Sequence, residues 1–186
     1  MTLKKLENDL TLFCGTVNIK EPERVLKKLS LVKTKPNGFV CTFSLEKVWS
    51  KNQVLFAAEH TRLAFKRNTS FSKNREHEFL IRLSGQKQAS EAIEHFGIKS
   101  GIKQLIGIMA VDLKTDSEKK KLKSILKELN VVEQRNCFSK NNSQKKELLQ
   151  WFGIPDKSIE TMTDYSKEKA IERLIFEKIA LIELEH

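Results

Sequence analysis

The sequence predicts an α+β fold: a small mixed or antiparallel sheet from two β-α-β halves, with an inserted three-helix block and a C-terminal helical region. Three observations predict it. Apolar, β-branched runs at residues 10–17, 39–43 and 104–111 read as strands. Stretches with apolar residues at steps of three and four lie between and after them. A helix-rich block over residues 50–97 interrupts the strand pattern. At 186 residues the chain suits one domain burying roughly 70% of its unfolded surface.

Taken in order, residues 10–17 (LTLFCGTV) form the first strand. Pro22 then opens a helix, where its missing amide costs nothing, with Val25, Leu26 and Leu29 as its buried side. Pro36-Asn37-Gly38 signals a turn into the strand at 39–43. Ser50 and Gln53 make a capping box that starts the block's first helix, residues 50–67. Its inner stripe is Val54, Ala57, Ala58, Thr61, Ala64 and Phe65.

Asn74 caps the second helix, 74–83, with Glu76 and Glu78 at its positive end. Phe79, Leu80 and Leu83 face inward, and Gly85 is the left-handed terminator. The third helix, 90–96, stops at Gly97. A buried strand follows at 104–111, then a helix opened by Thr115 and Glu118 as a second capping box. Leu122, Ile125, Leu126 and Leu129 are its apolar face, and 131–137 is a weaker strand. The tail holds a polar loop at 139–143, a helix at 143–152 ending at Gly153, and a last helix at 164–184. The helices are expected on one face of the sheet.

Composition narrows the function classes. No run approaches the ~18 to 20 apolar residues of a membrane span. The opening MTLKKLENDL lacks a signal peptide's apolar core. Three cysteines, Cys14, Cys41 and Cys137, are far apart and in no C-x-x-C pair, as expected for reduced core thiols in a cytoplasmic protein. The ending Leu184-Glu185-His186 reads as the start of a purification tag. The expected domain is therefore 1–184, with 185–186 a tag remnant.

Charge is the most informative functional signal. Between His60 and Lys87 seven Lys or Arg stand against two Glu, a net of +5 out of the chain's +10. Arg62, Lys66, Arg67, Lys73, Arg75, Arg82 and Lys87 lie at helix ends and connectors, with Ser84, Gly85 and Gln88 as small or polar neighbours. Arg75 and Arg82 are two helical turns apart and share a stripe. A solvated face is the bland reading. Four arginines, the better phosphate-binding side chain, favour nucleic-acid contact, with Phe71 a possible stacking platform.

No catalytic arrangement survives inspection. His77-Glu78 begins like H-E-x-x-H, but position 81 is isoleucine. Glu91 to His95 resembles the inverted motif with Glu91 where a histidine is needed. No phosphate-cradling glycine loop is present. The expectation is no enzyme activity, no metal and no cofactor.

Four stretches carry a family resemblance: the small-residue helix at 57–64, EFLIRLSGQKQ at 78–88, EAIEHFGI at 91–98, and EKIALIEL at 177–184. In this order they resemble the kinase-binding subunit of the KEOPS (EKC) complex, the TPRKB-like family. Lys87 and Ala89 depart from the arginine and isoleucine expected there, and lysine loses the bidentate fork.

The resemblance implies a non-catalytic, cytoplasmic subunit (nuclear as well if eukaryotic). It would bind the complex's small atypical kinase through the last helix, by Ile175, Ile179, Ile182 and Leu184. It would also recruit tRNA by its 3′ CCA end for threonylcarbamoyl modification of an adenosine, and the basic block is where that end would dock. A pure protein–protein adaptor is the competing reading. An enzyme on a phosphorylated substrate would need His77 with Glu78, or His95 with Glu91.

Overall fold

The structure is a computed structural model that describes residues 4–6 and 9–183, with side chains for 9–183. It is α+β. Five strands, β1 (Lys4–Leu6), β2 (Leu10–Ile19), β3 (Thr34–Ser44), β4 (Gly101–Leu113) and β5 (Val132–Glu133), form one antiparallel sheet. The order is β1-β2-β4-β3, with β5 also pairing β2. Eight helices are described: α1 (Pro22–Leu29), α2 (Lys51–Arg67), α3 (Arg75–Ser84), α4 (Ala89–Phe96), α5 (Asp116–Glu128), α6 (Asn142–Trp151), α7 (Asp156–Glu160) and α8 (Lys167–Leu181). The two β-α-β halves flank the inserted α2–α4 block as expected.

Helices cover both faces of the sheet rather than one. Alternation along each strand divides its side chains between two cores. Phe13, Val17, Ile106, Ile108 and Ala110 pack under α1 and α5. Leu10, Leu12, Cys41, Phe43, Met109 and Val111 pack under the inserted block and the tail. Each β-α-β unit sends its own helix to one face, leaving the other for the insertion. Phe79 of α3 docks there between Phe39 and Phe43, with both ring centroids at 5.4 Å. Gly107 makes room, since a Cβ at that position would stand 2.4 Å from the Phe43 ring.

Several local expectations change. Pro36-Asn37-Gly38 is not a turn ahead of the strand: it bulges within β3, where the register jumps between Thr34 and Phe39. Only Val132–Glu133 of the 131–137 segment is strand, paired with β2, and the Gln134 amide adds one more bond to the Cys14 carbonyl. Of the loop expected at 139–143, residues 139–141 are coil, and Asn141 with Gln144 forms a full capping box that starts α6 at Asn142. Leu26 is 49% exposed. The strand β1 and the short helix α7 have no counterpart in the sequence reading.

The two expected capping boxes are half-formed. Ser50 and Thr115 each accept the third amide. Gln53 instead accepts from the Trp49 amide, and Glu118 from the Lys33 amide. Tertiary donors outcompete the local ones. Leu184 and the expected tag remnant at 185–186 lie outside the described residues.

Candidate nucleic-acid and partner interfaces

The inserted block is held at the end of α3 by two polar side chains, one buried and one half-buried. Gln53, fully enclosed, donates to the Leu83 carbonyl at 2.8 Å. The Trp151 indole donates to the Ser84 carbonyl at 2.8 Å. These satisfy carbonyls that a helix end otherwise leaves orphaned. Gly85 then turns left-handed with φ of 66°, as its sequence position predicts. Its Cα sits against the Phe152 ring, where a Cβ would come within 3.3 Å.

The connector 85–88 consequently has a fixed shape, and it forms one wall of an open cavity of about 380 Å3. Gln150, Trp151 and Gly153 at the end of α6 make another wall, and Lys178 of α8 a third. Two cations, Lys87 and Lys178, face one carboxylate, Glu91. Gln88 is exposed at the rim. Such a cavity offers cations for phosphate, and an acceptor and amides for a base edge. Trp151 itself wedges against His95 at 4.3 Å and Phe96 at 5.6 Å between ring centroids.

The ten residues singled out for RNA contact do not all converge. Gly85, Lys87 and Gln88 line this cavity. Lys66, Arg67 and Lys73 are exposed near the opposite end of α3, about 15 Å away at 1.5 Å per residue. Arg62, partly buried, lies 3.3 Å from Glu59 and 3.5 Å from Asp112. Arg75 stacks its guanidinium 4.3 Å over the Phe65 ring. These two guanidinium groups spend much of their contact capacity inside the protein.

Arg82 and Ser84 are corrections. Both are fully buried, so neither faces a ligand from the surface. Arg82 Nε lies 2.8 Å from Glu78 Oε1, and Nη1 lies 2.8 Å from Glu183 Oε1. Glu78 Oε2 also accepts the amides of Phe71 and Ser72, which ties the basic connector to α3. Phe71 is half-buried, with the Arg82 guanidinium 5.2 Å from its ring, and acts as an anchor rather than an open platform. Ser84 Oγ donates to the Ile81 carbonyl and accepts from the Gln86 amide. The i, i+4 spacing of Glu78 and Arg82 was the available sign of this pair. Gln150, Trp151 and Lys178 carried no local signal, since α6 and α8 reach the cavity only through the fold.

Three of the four α8 residues expected to meet the kinase lie inside. Ile175, Ile179 and Ile182 are 1%, 0% and 3% exposed, all turned into the core. Leu184 falls outside the described residues. On α8, Leu181 is 38% exposed, and Phe176, five residues earlier and on another side of the helix, is half-buried. Phe176 stacks on Phe56 of α2 with centroids 4.5 Å apart and planes 6° off parallel.

The histidine and carboxylate pairs weighed for catalysis are separated by their tasks. Glu78 is locked to Arg82, while His77 is exposed. His95 leans on Trp151, and Glu91 stands on the cavity rim. Among the described residues no three His, Cys, Asp or Glu come together in a way that could hold a metal. No described helix is long and apolar enough to cross a membrane.

Compared with known proteins, the chain matches the family described as kinase binding protein CGI-121 over residues 17–183. No match is found among curated proteins.

Proposed function

Since the chain belongs to the CGI-121 family of kinase-binding proteins, we propose that it is a non-catalytic accessory subunit of the KEOPS complex, working in the cytoplasm. One surface binds the complex's small atypical kinase. A second receives the 3′ CCA end of tRNA and presents the molecule for threonylcarbamoyl-adenosine formation.

The observation that carries the nucleic-acid part is the cavity at Gly85 to Gln88. A single-stranded end is recognised by cations along its backbone and by polar groups on its base edges. Lys87 and Lys178 supply the first, and Gln88 and Glu91 the second. A carboxylate is the natural acceptor for the exocyclic amine of cytosine. Lys66, Arg67 and Lys73 then attract the body of the tRNA from a separate patch. For the kinase, the exposed Leu181 of α8 offers an apolar contact, with the Phe176 ring stacked on Phe56 as a separate one.

The reading is tested by titrating the chain with intact tRNA and with tRNA lacking its CCA end. A loss of affinity above roughly tenfold on trimming is expected, together with steep weakening by salt. Equal affinity for the two would remove the docking role. The internal commitment of Arg82 favours the second reading, an adaptor that binds the kinase and no RNA. Under it, neither tRNA would bind while the kinase still co-purified.

A further inference from the structure

The structure brings together two cysteines that are remote in sequence. Cys14 lies on β2, and its carbonyl accepts the Gln134 amide at 3.1 Å. The turn that follows places Cys137 Sγ 2.9 Å from the Gln134 carbonyl. The Cys14 side chain is near enough to act on the Cys137 thiol. Both border one small cavity of about 140 Å3, whose mouth carries Lys51 and Arg135 with Glu133. Cys14 is partly exposed, and Cys137 is 4% exposed. Cys41 is apart from them: its thiol points to the Thr42 and Glu76 carbonyls on the α3 side.

We propose that Cys14 and Cys137 are an oxidative modification site that closes to an intramolecular disulfide when the chain meets a peroxide. The more exposed thiol reacts first. Its thiolate attacks hydrogen peroxide, the O–O bond breaks, and Cys14 becomes a sulfenic acid with release of hydroxide. The Cys137 sulfur then attacks the sulfenic sulfur, and water leaves with the proton that Cys137 gives up. Two thiols and one peroxide become one disulfide and two waters.

The surroundings of Cys137 favour this second step in part. Burial pushes its thiol above the usual value, while the Cys14 contact and the nearby Lys140 ammonium pull it back. Cys41 has no such help. Burial and the Glu76 charge hold its thiol well above the usual value, and it serves as the internal control. The bond would pin β2 to the segment leading into α6, and α6 walls the cavity at Gly85 to Gln88.

The test is oxidation of the reduced, full-length chain with equimolar hydrogen peroxide. The expected result is a mass loss of about 2 Da, two of the three thiols shielded from alkylation, and a peptide joining residues 14 and 137. The melting temperature should rise on oxidation, because the bond closes a long loop. Cys41→Ser should behave as wild type, and Cys14→Ser should lose the crosslink. In case a variant fails to fold, phenylarsine oxide, which bridges paired thiols, should form one adduct on the unmodified wild-type chain. A mass gain of about 16 or 32 Da on a single cysteine, a crosslink between chains, or no arsenical adduct would each overturn the proposal.

Discussion

Arg82 on α3 and Glu183 just beyond α8 meet at 2.8 Å, so a buried guanidinium ties the inserted block to the segment after α8 through a partly exposed carboxylate. With Glu78 at 2.8 Å on the other side, one guanidinium holds two carboxylates together. Arg82→Ala would leave the fully buried Glu78 carboxylate without its cation, and should cost about 3–5 kcal/mol. Urea unfolding should show it as a lower midpoint at unchanged slope. An unshifted midpoint would mean that the pair does not hold the fold. Charge reversal at this position cannot serve as a clean probe of RNA binding.

The clean probes are on the rim of the cavity. Lys87→Glu and Lys178→Glu should each weaken binding of a short CCA-ended oligonucleotide by roughly tenfold. Folding should hold, since surface changes stay within about 0.5 kcal/mol. Lys66→Glu with Arg67→Glu, at the far end of α3, should weaken whole tRNA while leaving the oligonucleotide almost untouched. Fluorescence anisotropy at two salt concentrations separates the two patches.

Kinase binding should divide the residues of α8 by their side. Leu181→Asp should reduce co-purification with the kinase and leave the melting temperature within a few degrees of wild type. Ile179→Asp puts a charge into a fully buried position and should unfold the chain, losing every activity at once. Unchanged co-purification of the Leu181 variant would move the kinase surface elsewhere.

His60, half-buried beside Phe56, adds a pH dependence. Burial first and the Arg82 charge second push its pKa below 6.5, against an opposing pull from Glu183. The folded state therefore prefers the neutral ring. Well above pH 6.5 the ring is neutral in both states and costs nothing; as pH falls through 6.5 the unfolded chain takes up its proton first and stability is lost. His60→Gln should lose less stability than wild type between pH 7.5 and 5.5 in parallel thermal melts. Equal losses would show that His60 titrates as it does in water.

Packing gives the last test. Phe79→Ala removes the ring clasped by Phe39 and Phe43 and should cost about 3–5 kcal/mol. Chemical denaturation checks it, and a cost under about 1 kcal/mol would show that the cluster can collapse around the loss.

Local chemistry determined what the sequence determined by itself. Caps at Ser50, Asn74 and Thr115, the left-handed Gly85 and the apolar runs of β2 and β4 each act through neighbours a few residues away, so their elements could be read directly. Charge could be counted but not aimed. Tertiary structure decided that Arg82 turns inward to Glu78 and Glu183, that Ile175, Ile179 and Ile182 belong to the core, and that Trp151 and Lys178 join the cavity at Gly85. The physical reason is the same in each case. A helix stripe says which residues share a side, while the side that meets water is settled only by elements packed from elsewhere in the chain.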